Sequence, residues 1–166
     1  MGVHSRSIEL GVWKSMDEYH EALTSLSTTQ YRGYRDTVVL NAAFFATYKS
    51  IKNVQEKLRR LTNLTVGEIG QLLAIIGDFE EPGRKLVEFL KQHKGDFVNN
   101  GACTDTTEWL SQIEGESNRI MEDVAEKSPS RFHEAFRGAY KSLGMSLAES
   151  RNITWTECFG PPDQDN

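Results

Sequence analysis

The sequence predicts an all-α protein, a single-domain bundle of five or six helices around a long, largely buried second helix spanning about 36–61. Three observations carry that expectation. Apolar residues recur at three- and four-residue spacing along most of the chain, which is the period of a helix with one buried face. Ser/Thr-x-x-Glu patterns, which cap helix N-termini, stand before several of these runs. Only 4 prolines occur in 166 residues, and they fall between the periodic stretches.

The first helix is expected to start at Ser15, with Glu18 completing a capping box and Met16, Tyr19, Leu23 and Leu26 as its stripe. A Ser/Thr run from Ser25 to Thr29 closes it. In the second, Leu40, Phe44, Ile51, Val54, Leu58 and Leu61 alternate by four and three, with Thr47 in the missing slot. Its first half also holds Val38, Val39, Ala42, Ala43, Phe45, Ala46 and Tyr48. That half is apolar nearly all round, which predicts enclosure by the other helices. Thr65 and Glu68 form a capping box for a third helix that buries Ile69, Leu72, Leu73 and Ile76 and stops at Gly77.

Pro82 suits the first turn of a fourth helix, which presents Leu86, Leu90, His93 and Phe97 on one face before the Asn99-Asn100-Gly101 turn. Asp105-Thr106-Thr107-Glu108 is expected to cap a fifth helix with Trp109, Ile113, Ile120 and Val124 inward. Ser128-Pro129 is expected to cap a sixth with Phe132, Phe136, Tyr140, Leu143 and Leu147 on one side. Ala135, Gly138, Ala139, Ser142 and Ser146 give that helix a small-residue side for close packing. Ile153 to Phe159 alternates apolar and polar residues and reads as extended. The domain is expected to cover residues 1–160, and 161–166, with Pro161-Pro162, to form a disordered tail.

Charge and composition exclude several classes. A net charge of −5 argues against a nucleic-acid partner. No apolar run approaches the roughly 20 residues of a membrane span; the longest, Val38 to Ala46, is broken by Asn41. No secretory leader is visible at the N-terminus, though a mature secreted chain would read the same way, so the compartment stays open. Met1-Gly2 lacks the Ser or Thr at position 6 that myristoylation requires, since Arg6 stands there. The fifth helix is acidic, through Glu108, Glu114, Glu116, Glu122, Asp123 and Glu126, whereas the second ends in basic residues. These are either solvated faces or complementary patches.

Catalytic and metal signatures are missing. The stretch from Asp78 through Gly83 to Glu88-Phe89-Leu90 has the rhythm of a calcium loop, but Pro82 falls at ligand position 5 and Phe89 at position 12. No metal and no cofactor is therefore expected. His93, on an apolar face, reads as a packed boundary residue rather than a ligand. Cys103, just before the fifth helix, is the one candidate nucleophile. Its bland alternative is a bridge to Cys158. Helices five and six joined by a short turn run antiparallel, which brings residues near 150 beside residues near 104, both cysteines lying in non-helical segments. Sequons mark Asn63 and Asn152 for glycosylation in a secretory setting.

Three functions compete on this reading. The first is a non-catalytic binding or regulatory module that engages a protein partner, consistent with the lack of catalytic motifs. The alternative is a carrier of a small apolar ligand or lipid, held between helices by Tyr19, Phe44, Phe45, Tyr48, Phe132, Phe136 and Tyr140. The third is an enzyme using Cys103. Neither the partner nor the oligomeric state is written in the sequence.

Overall fold

In the computed structural model residues 2–160 are described, with side chains from residue 11 onward. The expected tail, 161–166, lies outside the described residues. Six α-helices follow one another: α1 (Gly2–Ser27), α2 (Thr37–Arg59), α3 (Val66–Gly77), α4 (Glu80–Asn99), α5 (Cys103–Glu126) and α6 (His133–Phe159). Single 3-10 turns, Tyr34–Asp36 and Ser130–Phe132, precede α2 and α6. No strand occurs among the described residues.

The direction of each helix follows from its side-chain pairs. Phe44 meets Trp109 and Lys52 meets Glu116, so α2 and α5 run parallel. Cys103 meets Cys158 and Glu114 meets Arg151, so α6 is antiparallel to α5. Gly83 faces Ser146 and Lys94 faces Glu157, so α4 runs with α6. One end of the bundle thus collects the starts of α2 and α5 with the ends of α1, α4 and α6, and the disulfide lies there. The core between them is filled by large side chains with no exposure, among them Tyr19, Phe44, Phe79 and Phe97.

Local signals explain most boundaries. Thr65 Oγ1 accepts from the Glu68 amide and Glu68 accepts from the Thr65 amide, the reciprocal capping box expected for α3. Gly101, at φ 66°, turns the chain between α4 and α5 in a conformation that costs other residues more. Gly83 lets α4 approach α6 closely, because a Cβ there would meet Ser146 Cβ and Oγ at 3.1 Å. The hydroxyls of Thr24, Ser27, Thr28 and Thr29 donate to carbonyls one turn back, which loosens the end of α1.

Several expectations need correction. Ser15 does not start a helix; α1 runs through it, and Ser15 is buried between Val12 and Met16 on the inward stripe. The first half of α2 is not enclosed. Leu40, Phe44 and Thr47 are buried, but Tyr34, Val38, Val39 and Phe45 face solvent. The segment Ile153–Phe159 is helical, continuing α6 with Thr154 buried and its hydroxyl donating to the Ser150 carbonyl. Both cysteines accordingly lie in helices, Cys103 at the first position of α5 and Cys158 next to the last of α6. Asp105 and Ser128 do not cap: α5 is already under way at Asp105, and Ser128 Oγ donates to the Val124 carbonyl.

The two charge patches are joined by one partly buried ion pair on the α2–α5 seam. Lys52 of α2 lies 3.3 Å from Glu116 of α5, and Gln55 Nε2 donates to the Glu116 carboxylate at 2.7 Å and to its carbonyl at 2.9 Å. Burial alone would raise the Glu116 pKa. The bonds from Gln55 and Lys52 and the charges of Lys52 and Arg119 outweigh it, so the carboxyl sits below its ordinary 4.5. A lowered folded-state pKa stabilises above the unfolded value and loses that stabilisation as pH falls through the folded one. Glu116→Gln is therefore expected to flatten the loss of stability below about pH 4.5. Denaturant melts of both proteins across that range check it; parallel curves would assign acid sensitivity elsewhere.

Candidate functional site

An open apolar concavity lies on the seam between α4 and α6. It is a groove of about 820 Å³, lined by Lys91 and Lys94 from α4 and by Met145, Ala148, Glu149, Asn152, Ile153, Thr156 and Glu157 from α6. That volume falls within the range of small-molecule sites. A second depression of about 490 Å³ shares Asn152 and Thr156 with it and adds Arg151 and Trp155. Together they occupy the outward face of α6 from Met145 to Glu157, overlapping the segment from Ile153 expected to be extended.

Local structure explains the shape. Gly83 and Ser146 bring the two helices close near the start of α4, and further along the seam the small Ala148 leaves room. Met145, Ala148 and Ile153 supply the apolar surface. Two ion pairs cross the groove, Lys91 Nζ to Glu149 at 3.3 Å and Lys94 Nζ to Glu157 at 3.9 Å. Exposed pairs of this kind hold little energy, so either lysine can change partners at small cost. The longer Lys94 contact is the more readily exchanged. The arrangement suits an elongated apolar molecule with one anionic end: methylenes on the helix seam, the charge at a lysine.

The end of α6 is pinned. Cys158 Sγ is bonded to Cys103 at 2.06 Å, with Cα atoms 5.5 Å apart. The sulfur that could have served as a nucleophile is thus occupied. Trp155 and Phe159, both about half exposed, pack against each other at 4.9 Å beside this link.

The seven aromatic residues singled out in the sequence do not share one cavity. Phe44, Phe45 and Tyr48 gather around Trp109 on the α2–α5 seam, at centroid distances of 6.4, 6.2 and 6.0 Å. Phe44 is buried there, Tyr48 half-buried and Phe45 exposed. Phe136 and Tyr140 line a cleft of about 240 Å³ between α5 and α6, with Met121, Ala125, His133 and Arg137. Phe132 lies near by, with the Arg131 guanidinium 4.9 Å from its ring. Tyr19 is in the core, its hydroxyl 2.9 Å from Ser117 Oγ, and burial pushes its pKa far up. Tyr140 donates to Asn118 at 2.5 Å, and burial raises its pKa as well. With both pKa values raised by burial, the Tyr19 and Tyr140 hydroxyls serve as neutral hydrogen-bonding groups.

His93 packs on Phe89 at 4.7 Å, with Nδ1 3.0 Å from Asp96 Oδ2. Asp78 and Gly83 belong to a two-residue joint and a helix, so no twelve-residue loop is formed. Asn63 is exposed in the loop between α2 and α3, and Asn152 is exposed within α6 at the groove edge. The groove residues Lys91, Lys94, Met145, Ala148 and Ile153 were not marked by the sequence. The usable signal was the run of small residues on α6, which announced a close crossing but not its partner.

Neither a family model nor a curated protein matches this sequence. Solved structures do match the fold. Ligand-binding domain 1 of the Penicillium marneffei MP1 protein, complexed with arachidonic acids, superposes with a TM-score of 0.79 at 19% identity, over 88% of this chain and 98% of that one. Ligand-binding domain 2 of the same protein, complexed with multiple arachidonic acids, gives 0.70 at 15% identity, over 90% and 92%. AFMP4P in complex with palmitic acid gives 0.75 at 5% identity, over 90% and 98%. This chain shares the all-helical fold of these domains along nearly its whole length.

Proposed function

We propose that this protein binds a long-chain fatty acid or a similar single-chain anionic lipid, and that it acts as a carrier rather than as a partner-binding module. The observation that carries the proposal is the fold, shared over about nine-tenths of the chain with domains complexed with arachidonic and palmitic acids. The α4–α6 groove supports it, because its apolar surface and flanking lysines match the two ends of such a molecule. The hydrocarbon lies along Met145, Ala148 and Ile153 and the carboxylate takes Lys94 from Glu157. Each methylene removed from water contributes about 0.8 kcal/mol, so the chain supplies most of the affinity and the lysine its orientation. No observation favours a protein partner over this ligand.

Native mass spectrometry of gently purified protein, followed by titration of delipidated protein with palmitic and arachidonic acids, tests the proposal. A bound fatty-acid mass and saturable binding are expected. Ile153→Asp, which places a charge on the apolar surface, is expected to weaken binding by about tenfold or more. Because Ile153 is half-buried against the core, some loss of stability is expected too, and binding is compared at a temperature where both proteins are folded. A clean apo mass with no binding would reject the function. Binding unaffected by Ile153→Asp would reject the groove alone.

A further inference from the structure

Among the described residues the outward face of α2 is largely uncovered, touched only at its edge where Phe45 meets Trp109 of α5, although it is among the most apolar stretches of the chain. Val38, Ala42 and Phe45 follow at four- and three-residue spacing, continuing Tyr34 from the turn before, and Val39 and Ala46 lie alongside. Tyr34 is 74% exposed, Val38 75%, Val39 56% and Phe45 54%. Contiguous apolar surface of this kind is uncommon on a free protein and marks an interaction site. Its charged surroundings are cationic. Arg32 and Arg35 stand before it and Lys49 after it, all exposed. Asp36, the one carboxylate in the segment 32–49, accepts from the Arg32 amide at 2.7 Å. Three cations against one carboxylate within the segment 32–49 stand out in a chain of net charge −5.

We infer that this face docks on an anionic lipid bilayer. Apolar and aromatic side chains flanked by Arg and Lys are the composition of helices that lie in a membrane interface, with rings and branched chains below the phosphates and cations among them. Charge selects this occupant over a second copy of the chain. A two-fold dimer through the face would set the cations of Arg32, Arg35 and Lys49 against the same cations of the other copy. An anionic surface neutralises the same cations. The inference stands on this face alone and does not need the groove to be filled.

Flotation of delipidated protein with vesicles tests it. Vesicles of phosphatidylcholine alone are compared with vesicles of phosphatidylcholine and phosphatidylglycerol, at low and high salt. The protein is expected to float with the anionic vesicles, less so at high salt, and to stay behind with the neutral ones. Val38→Ser with Phe45→Ser, and separately Arg35→Glu with Lys49→Glu, are each expected to lower partitioning by about tenfold or more. Because these side chains face solvent, unchanged melts are expected to confirm that the variants fold. No flotation, flotation equal for both lipids, or variants that float like wild type would overturn the inference. So would loss of flotation on Ile153→Asp alone, which places the lipid contact at the groove. A concentration-dependent dimer that Val38→Ser with Phe45→Ser dissolves would overturn it in favour of a second copy.

Discussion

Phe44→Ala is expected to destabilise the protein by about 3–5 kcal/mol, the cost of emptying a buried phenylalanine site. Phe44 is completely buried on the inward stripe of α2 and stacks at 6.4 Å, with nearly parallel planes, on Trp109 of α5. Because α2 and α5 run parallel, this contact sets their register near the disulfide end, and Lys52 with Glu116 sets it further along. Removing the ring leaves a cavity that the flanking Leu40 and Thr47, both fixed in the same stripe, cannot fill. Its neighbour gives the contrast. Phe45→Ala removes a ring of the same size that is half exposed and touches Trp109 only edge-on at 6.2 Å, so about 1 kcal/mol or less is expected. Chemical denaturation of the two variants separates them. Similar losses for both would mean that the outward face of α2 is covered in the folded protein, contrary to the docking role argued above.

That contrast also marks what the sequence could and could not convey. A single buried stripe, from Leu40 through Phe44 and Thr47 to Leu58, is legible because a helix projects every third and fourth residue the same way. Whether the opposite side is covered is not legible. Val38, Val39 and Phe45 look like core by composition, yet they are more than half exposed, Phe45 meeting only the edge of Trp109. The same limit misplaces the start of α1. Ser15 and Glu18 satisfy a local capping pattern, but Val12 one turn earlier is buried on the same stripe, and continuing the helix buries it. Capping boxes are decisive only where nothing upstream competes, as at Thr65 and Glu68. Alternation over seven residues, Ile153 to Phe159, is likewise too short to separate strand from helix. Here Thr154 buried one turn after Ser150, with the covalent tie at Cys158, settles it as helix. The groove belongs to a third class. Lys94 and Ile153 are 59 positions apart in the chain and meet because Gly83 and Ser146 allow two helices to cross closely, a property of neither helix alone.

The second large effect concerns the bond between Cys103 and Cys158. The pairing rests on topology: α5 and α6 are antiparallel, joined at the far end by the short segment around Ser130–Phe132, so the start of one returns to the end of the other. The link closes a loop of sequence separation 55. In the chain-entropy account, restricting an unfolded chain over that length contributes about 4 kcal/mol, and losing a native bridge commonly costs 2–5. Cys103→Ala with Cys158→Ala is therefore expected to lower stability by about 3–4 kcal/mol. The local effect should be larger than the global one. The last turns of α6 carry Trp155, Thr156 and Glu157 on the groove and only Thr154 as a fully buried anchor, so without the link they fray before the bundle opens. Fatty-acid affinity is then expected to fall in the double-alanine protein even at temperatures where the bundle remains folded, because ligand must first order the helix end that the disulfide holds in place. Hydrogen exchange at residues 153–159, measured with and without palmitic acid, checks the mechanism. Slow exchange in the wild type, fast exchange in the variant and partial recovery on adding ligand are expected. If exchange there stays slow without the bridge, side-chain packing alone holds the end of α6, and the disulfide acts only by restricting the unfolded chain.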